Sequence, residues 1–159
     1  MDILTDDDIQ RLLDERKPLP ADYSRRMVAK PKRGHKESEL EITGAAGSRF
    51  ALIVRQSEMN PLDFSLILAY RPVKTNRLFR LLRYNGRHEH TNVLEAETFY
   101  DFHIHRATAR YQERGLHEDT YAEPTTRYAD YGSAIREILR DCSFDLPSDP
   151  QVRLFEEGV

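Results

Sequence analysis

Residues 49–71 read RFALIVRQSEMNPLDFSLILAYR. In the first half Phe50, Leu52 and Val54 fall on every second position, and in the second half Phe64, Leu66, Leu68 and Tyr70 do the same. A period of two puts such side chains on one face of an extended strand. Asn60-Pro61 separates the runs and breaks the chain there. Two alternating runs with a short connection predict an antiparallel pair. The flanks extend the pattern: ELEIT (39–43) enters a Gly-Ala-Ala-Gly turn at 44–47, and RLFRLLRY (77–84) precedes Asn85-Gly86. TFYDFHIH (98–105) is a further strand, with Tyr100, Phe102 and Ile104 on its core face.

Outside these strands the period changes. Thr5 or Asp6 caps a helix on which Ile9, Leu12 and Leu13 form a stripe, and Pro18 and Pro20 end it. Acids at 6, 7 and 8 suit the positive end of its dipole. Residues 107–114 read as helix, with Gly115 as its stop. Tyr131 to Cys142 is the best-patterned helix of the second half, with Ile135, Ile138, Leu139 and Cys142 on its buried stripe. The expected fold is one α+β domain. Residues 1–37 give an N-terminal helix, packed at an edge or serving a partner, and a basic loop. Residues 38–145 give an antiparallel β-meander of four to six strands packed against C-terminal helices, and 146–159 form a tail.

At 159 residues the chain is long enough for one sizeable core. Its apolar runs fall far short of the roughly 20 residues of a spanning helix, so no membrane association is expected. The acidic start MDILTDDDIQ lacks the layout of a secretion signal, and Cys142 as sole cysteine permits no internal disulfide. A cytoplasmic setting is expected. Charge is unevenly placed on a chain of net charge −3: residues 25–36 carry 6 basic and no acidic groups, and residues 71–114 carry 9 basic and 5 acidic. Such blocks either pair with acidic segments or bind an anion.

The second basic block holds two His-x-His pairs, His88/His90 and His103/His105. On a strand, residues i and i+2 point the same way, about 6.5–7 Å apart. Asp101, His103 and His105 therefore share the face opposite Phe102 and Ile104. Asn-Gly is a strong signal for a type I′ hairpin turn. With Asn85-Gly86 as that turn, Tyr84 pairs with Arg87, Arg83 faces His88, and His90 faces Leu81.

Three readings follow. In the first the chain processes nucleic acid as an RNase-like, toxin-type or defence-related enzyme without a cofactor. His103 and His105, with His88 and His90, supply base and acid; Tyr111 assists; Arg83, Arg87, Arg106 and Arg110 hold phosphate. In the second the histidines are structural and the chain is a protein-interaction module that docks through the N-terminal helix and residues 25–36. In the third His88, His90, His103, His105 and Asp101 bind zinc or another divalent transition metal. RNA or another nucleic acid is the partner of the first reading, and a protein of the second. Cys142 sits on an apolar stripe and reads as core, not nucleophile.

Arg83 with YNGRHEHTN (84–92), FYDFHIHRATARYQ (99–112), YAEPTTRYADY (121–131) and DCSF (141–144) carry a further signal. Across roughly 49–144 the chain resembles a family of small prokaryotic proteins of unknown function. The resemblance implies a self-contained bacterial or phage domain and brings no activity with it.

Overall fold

The computed structural model describes residues 3–146, so the expected tail lies, apart from Leu146, outside the described residues. The chain runs α1 (Asp6–Asp14), β1 (Lys17–Pro18), α2 (Tyr23–Arg26), β2 (Lys30–Lys32), β3 (His35–Thr43), β4 (Arg49–Ser57), β5 (Phe64–Arg71) and β6 (Phe79–Arg87). It continues through β7 (His90–Asn92), β8 (Glu97–Phe99), β9 (Phe102–Arg106), α3 (Ala109–Glu113), β10 (Ala122–Pro124), α4 (Tyr131–Asp141) and β11 (Phe144–Asp145).

Seven strands make one antiparallel sheet in the order β10-β9-β6-β5-β4-β3-β2. The expected α+β meander is thus present, widened by the short strands β2 and β10. Phe50, Leu52, Val54, Phe64, Leu66 and Leu68 occupy one face, as their alternation requires, and pack against Ile135, Ile138 and Leu139 of α4. Burying each such side chain contributes about 1.5–3 kcal/mol.

Helix α1 forms where its stripe and cap place it, and it packs on the domain. It starts at a Thr5 cap, where the Thr5 side chain and Asp8 bond each other's backbone N–H. Ile9, Leu12 and Leu13 are buried in the same core as α4, so the helix is part of the sheet's cover. Residues 25–36 are not a free loop. They hold the end of α2 and the β2–β3 hairpin at the sheet edge, where Pro31 is tolerated. Helix α3 is shorter than expected and is tied to the chain's start, through Ala109 N–H to Asp6 Oδ1 and Gln112 to both backbone groups of Leu4.

Lys17 joins the two ends of the domain. Its ammonium, fully buried, donates to the carbonyls of Leu12, Leu13, Glu15 and Cys142 at 2.7–3.0 Å. Leu12 and Leu13 belong to the last turn of α1, and Cys142 is the C-cap of α4. One cation therefore serves two helix C-termini, where the dipoles favour positive charge. Burial pulls its pKa down to about 8, which still leaves it charged at neutrality. Lys17→Met is expected to destabilise the protein by about 3–5 kcal/mol, because it strands buried carbonyls; urea unfolding at pH 7 measures this.

The Asn85-Gly86 expectation is corrected. Neither residue forms a turn: both lie inside β6, and Gly86 lacks the positive φ that a type I′ turn demands. Instead β6 bulges against β9, since Asn85 pairs with His103 and Arg87 with Phe102. The glycine serves a close approach. A Cβ there would lie 1.9 Å from the Leu62 carbonyl oxygen, which accepts from Arg87 N–H at 3.0 Å. The expected strand 98–105 is likewise split, into β8 and β9 with Tyr100 and Asp101 between. The chain between β6 and β9 forms a separate hairpin, β7–β8, in which His90 pairs with Phe99.

Candidate metal centre

His103 and His105 alternate with Phe102 and Ile104 on β9, so they lie on the sheet face away from the main core. Their strand neighbours on that face are Asn85 and Arg83 of β6. Both imidazoles are buried, His103 completely. Hairpin β7–β8 covers them: the His90 ring stacks on His103 at 5.3 Å and stands edge-on to His105 at 4.7 Å. Phe99 meets His103 edge-on at 5.6 Å, and exposed His88 does so at 4.7 Å. The two His-x-His pairs therefore converge, although by a different route from the expected hairpin.

The hydrogen bonds fix which nitrogen of each ring carries a lone pair. A backbone carbonyl only accepts, so His103 Nδ1–H donates to Asp101 O at 2.8 Å, and His105 Nδ1–H donates to Asp119 O at 2.7 Å. Nε2 of each is then the lone-pair nitrogen. His90 Nε2 lies 2.7 Å from Asn92 Oδ1. The Asn92 amide is oriented by two bonds to Ala122, from Nδ2 to its carbonyl and from its N–H to Oδ1. His90 therefore donates from Nε2 and keeps its lone pair on Nδ1. One ligand nitrogen from each of His90, His103 and His105 lies within 4.8 Å of the other two. A tetrahedral zinc ion with Zn–N distances of about 2.0–2.1 Å holds its nitrogens about 3.4 Å apart, so the three rings must close from separations of up to 4.8 Å to share one. A second ring nitrogen held by a carbonyl or amide is the usual support for a metal-bound imidazole.

Asn85 sits against the same lone pairs. Its Oδ1 accepts from Ser65 Oγ at 2.8 Å and Arg83 Nε at 3.0 Å. Nδ2 is therefore turned toward His105 Nε2 at 3.1 Å and His103 Nε2 at 3.4 Å. From the core side, the Tyr128 hydroxyl lies 2.7 Å from the Asn85 carbonyl oxygen and 2.9 Å from that of His103, clamping the bulge to β9.

Burial keeps the two β9 imidazoles neutral at pH 7. Burial lowers the pKa of His103 to about 4 and of His105 to about 3, with the neighbouring imidazoles and Arg83 adding to the effect. Burial also lowers that of His88, where Asp63 partly opposes it. An unfolded histidine has a pKa of about 6.5. Between that value and the folded ones the unfolded chain binds more protons, so metal-free protein loses stability as pH falls. Thermal melts in chelator are expected to show Tm dropping from pH 7 to pH 5.

The remaining expected site residues are dispersed. The Asp101 side chain is exposed, and its contribution is the carbonyl that orients His103. Arg83 is half-buried beside Asn85, with NH1 3.7 Å from Asp119 Oδ2. Arg106 points to the opposite face and donates to Gln10. Arg110 pairs with Glu95, and the Tyr111 hydroxyl is held by Glu95 and the Leu94 N–H. Arg87 is exposed next to His88, its guanidinium 5.9 Å from the Phe102 ring. Cys142 is buried in the core, where burial pushes its thiol up to about 12.

Three contributors were not nominated from sequence: Asn85, Asn92 and Asp119. Asn85 is legible as the residue two before Arg87 on an alternating strand, once the Asn-Gly pair is read as strand. Asp119 Oδ2 is buried without a hydrogen-bond partner, next to the carbonyl that holds His105. No helix among the described residues is long and apolar enough to cross a membrane. No family model, curated protein or solved structure matches the chain, so the histidine centre is read from its own geometry.

Proposed function

We propose that the chain processes nucleic acid, and that His90, His103 and His105 hold a divalent transition ion, with zinc the best fit, for phosphodiester cleavage. The observation that carries this reading is that one ring nitrogen from each of three histidines lies within 4.8 Å of the other two. Neutral imidazole is the form a metal needs. The metal-free alternative needs one protonated imidazole at pH 7 to act as acid, and pKa values of about 4 and 3 leave neither β9 histidine in that form.

Three protein ligands leave a position open for water or substrate, the arrangement of catalytic and not structural zinc. The ion would lower the pKa of that water and polarise a phosphoryl oxygen. His88, exposed at the rim beside His103, would take the water's proton as oxygen attacks phosphorus. The leaving oxygen, on the opposite side of phosphorus, would take its proton from solvent as the old P–O bond breaks, and His88 would return its proton to solvent, so the step consumes only water.

A second reading has its own support. Asn85 Nδ2 faces both Nε2 atoms, so His103 and His105 each have a hydrogen-bond partner for that nitrogen without an ion. The two readings are separated by titrating chelator-treated protein with Co2+ or Zn2+ and measuring bound metal by elemental analysis. One equivalent per chain is expected, together with RNA or DNA cleavage that chelator abolishes. No uptake would leave the structural network standing.

A further inference from the structure

On the face that carries the histidines, one cross-strand row runs Arg55, Ser65, Asn85, His103 over β4, β5, β6 and β9. Its members are linked: Ser65 Oγ donates to Asn85 Oδ1, and Asn85 contacts His103. The other end of the row opens into a cleft of about 310 Å³ lined by Arg33, His35, Arg55, Asp63 and Ser65. The cleft lies where the β2–β3 turn meets the β4–β5 connection, with Glu58 N–H bonded to Gly34 O. Ser65 belongs to both the cleft wall and the histidine network. Asp63, the one carboxylate in the wall, is also the group whose field acts on His88.

The cations of this cleft are incompletely matched. Arg55 bonds Glu37 through Nε, and Glu37 is shared with Lys32. Arg33 is exposed in its turn and carries no ion pair among the described residues. Three strand spacings separate Arg55 from His103, roughly 14 Å between Cα atoms at about 4.8 Å each. The middle of the row, Ser65 and Asn85, is buried, so a phosphodiester chain would pass over it, and a few nucleotides would span from the cleft to exposed His88 at the rim of the histidine centre. Exposed Tyr100, at the edge of hairpin β7–β8, offers a ring on which a base can stack.

From this row we infer that the Arg33/His35/Arg55 cleft is a phosphate-binding subsite for single-stranded nucleic acid, feeding the strand toward the histidine centre. The chemistry at that centre rests on the reading above, but binding in the cleft does not. The chain's overall charge is −3, so it exerts no general pull on a polyanion, and any affinity must come from a local patch.

The test is fluorescence anisotropy at low salt with metal-free protein and a short labelled single strand, as RNA and as DNA of one sequence. Arg33→Asn/Arg55→Gln is compared with a control of equal charge change, Arg114→Gln/Arg136→Gln, at exposed positions outside the cleft. Expected are binding of at least one strand type and a loss of about tenfold or more in the cleft variant only. The slope of log affinity against log salt should fall by about 0.7 for each phosphate contact removed. Absence of binding by the native chain, equal loss in the control, or equally tight binding of polyglutamate would overturn the subsite. Metal content of the cleft variant is measured in parallel: uptake unchanged with binding lost supports the subsite, whereas failure of uptake in every form counts only against the metal centre.

Discussion

Alanine at position 105 is expected to cut transition-metal affinity by at least about a hundredfold. A structural zinc site yields roughly 10–16 kcal/mol over four ligands, so one imidazole accounts for about 3 kcal/mol. Asn85→Ala should act in the opposite sense. The Asn85 amide donates toward the two Nε2 atoms that an ion would occupy, at 3.1 and 3.4 Å, and both contacts must break when metal enters. Two contacts at about 0.5–1.5 kcal/mol each sum to about 1–3 kcal/mol, so removing the amide should tighten binding by roughly five- to a hundredfold. Cobalt titration followed by absorbance, with chemical denaturation of each variant in chelator, separates affinity from stability. If the imidazoles serve only the fold, both variants lower stability and neither changes a metal isotherm.

Gly86→Ala should be among the most damaging single-methyl additions in the protein. The new Cβ would be placed 1.9 Å from the Leu62 carbonyl oxygen and 3.1 Å from the Phe64 backbone nitrogen, so it meets main chain and not a side chain that can swing aside. Relief requires either the 60–63 connection to lift, breaking the Arg87 N–H to Leu62 O bond, or the bulge to flatten. Flattening would shift Asn85 relative to His103 and disturb the centre directly. A loss of about 2–4 kcal/mol in unfolding free energy is expected, within the range for overpacking plus a lost backbone bond. Gly34→Ala is a useful contrast: nothing lies within 4 Å of its Cβ, and only its φ of +89° opposes the change.

What was legible in the sequence was local. Alternation at 50–54 and 64–70 gives β4 and β5 their core faces, and Thr5 with the acids at 6, 7 and 8 marks the start of α1, because each signal lies within a few residues. The pairing of His103 with His105 on one face follows from period two alone. Their meeting with His88 and His90 was reached through a hairpin that does not exist; it occurs because β7–β8 folds across β9. Asn85-Gly86 misleads because its glycine answers to residue 62, a neighbour in space that no window around 86 contains. Asp119 escaped notice for the same reason: its carbonyl reaches His105 from 14 residues away. Strand β10 pairs with β9 from a polar, proline-containing segment that carries no alternation.

The ammonium of residue 17 finds its fourth acceptor 125 positions later, and Lys17 and Leu19 N–H groups bond Ser143 and Asp145 carbonyls. During synthesis the first helix therefore emerges long before its lock does. Until position 145 has cleared the ribosome, the stripe of Ile9, Leu12 and Leu13 has no α4 beside it and the sheet lacks part of its lid. Assembly of this domain therefore waits for residues 142–145, and a nascent chain stalled before residue 142 should be open to proteases along most of its length.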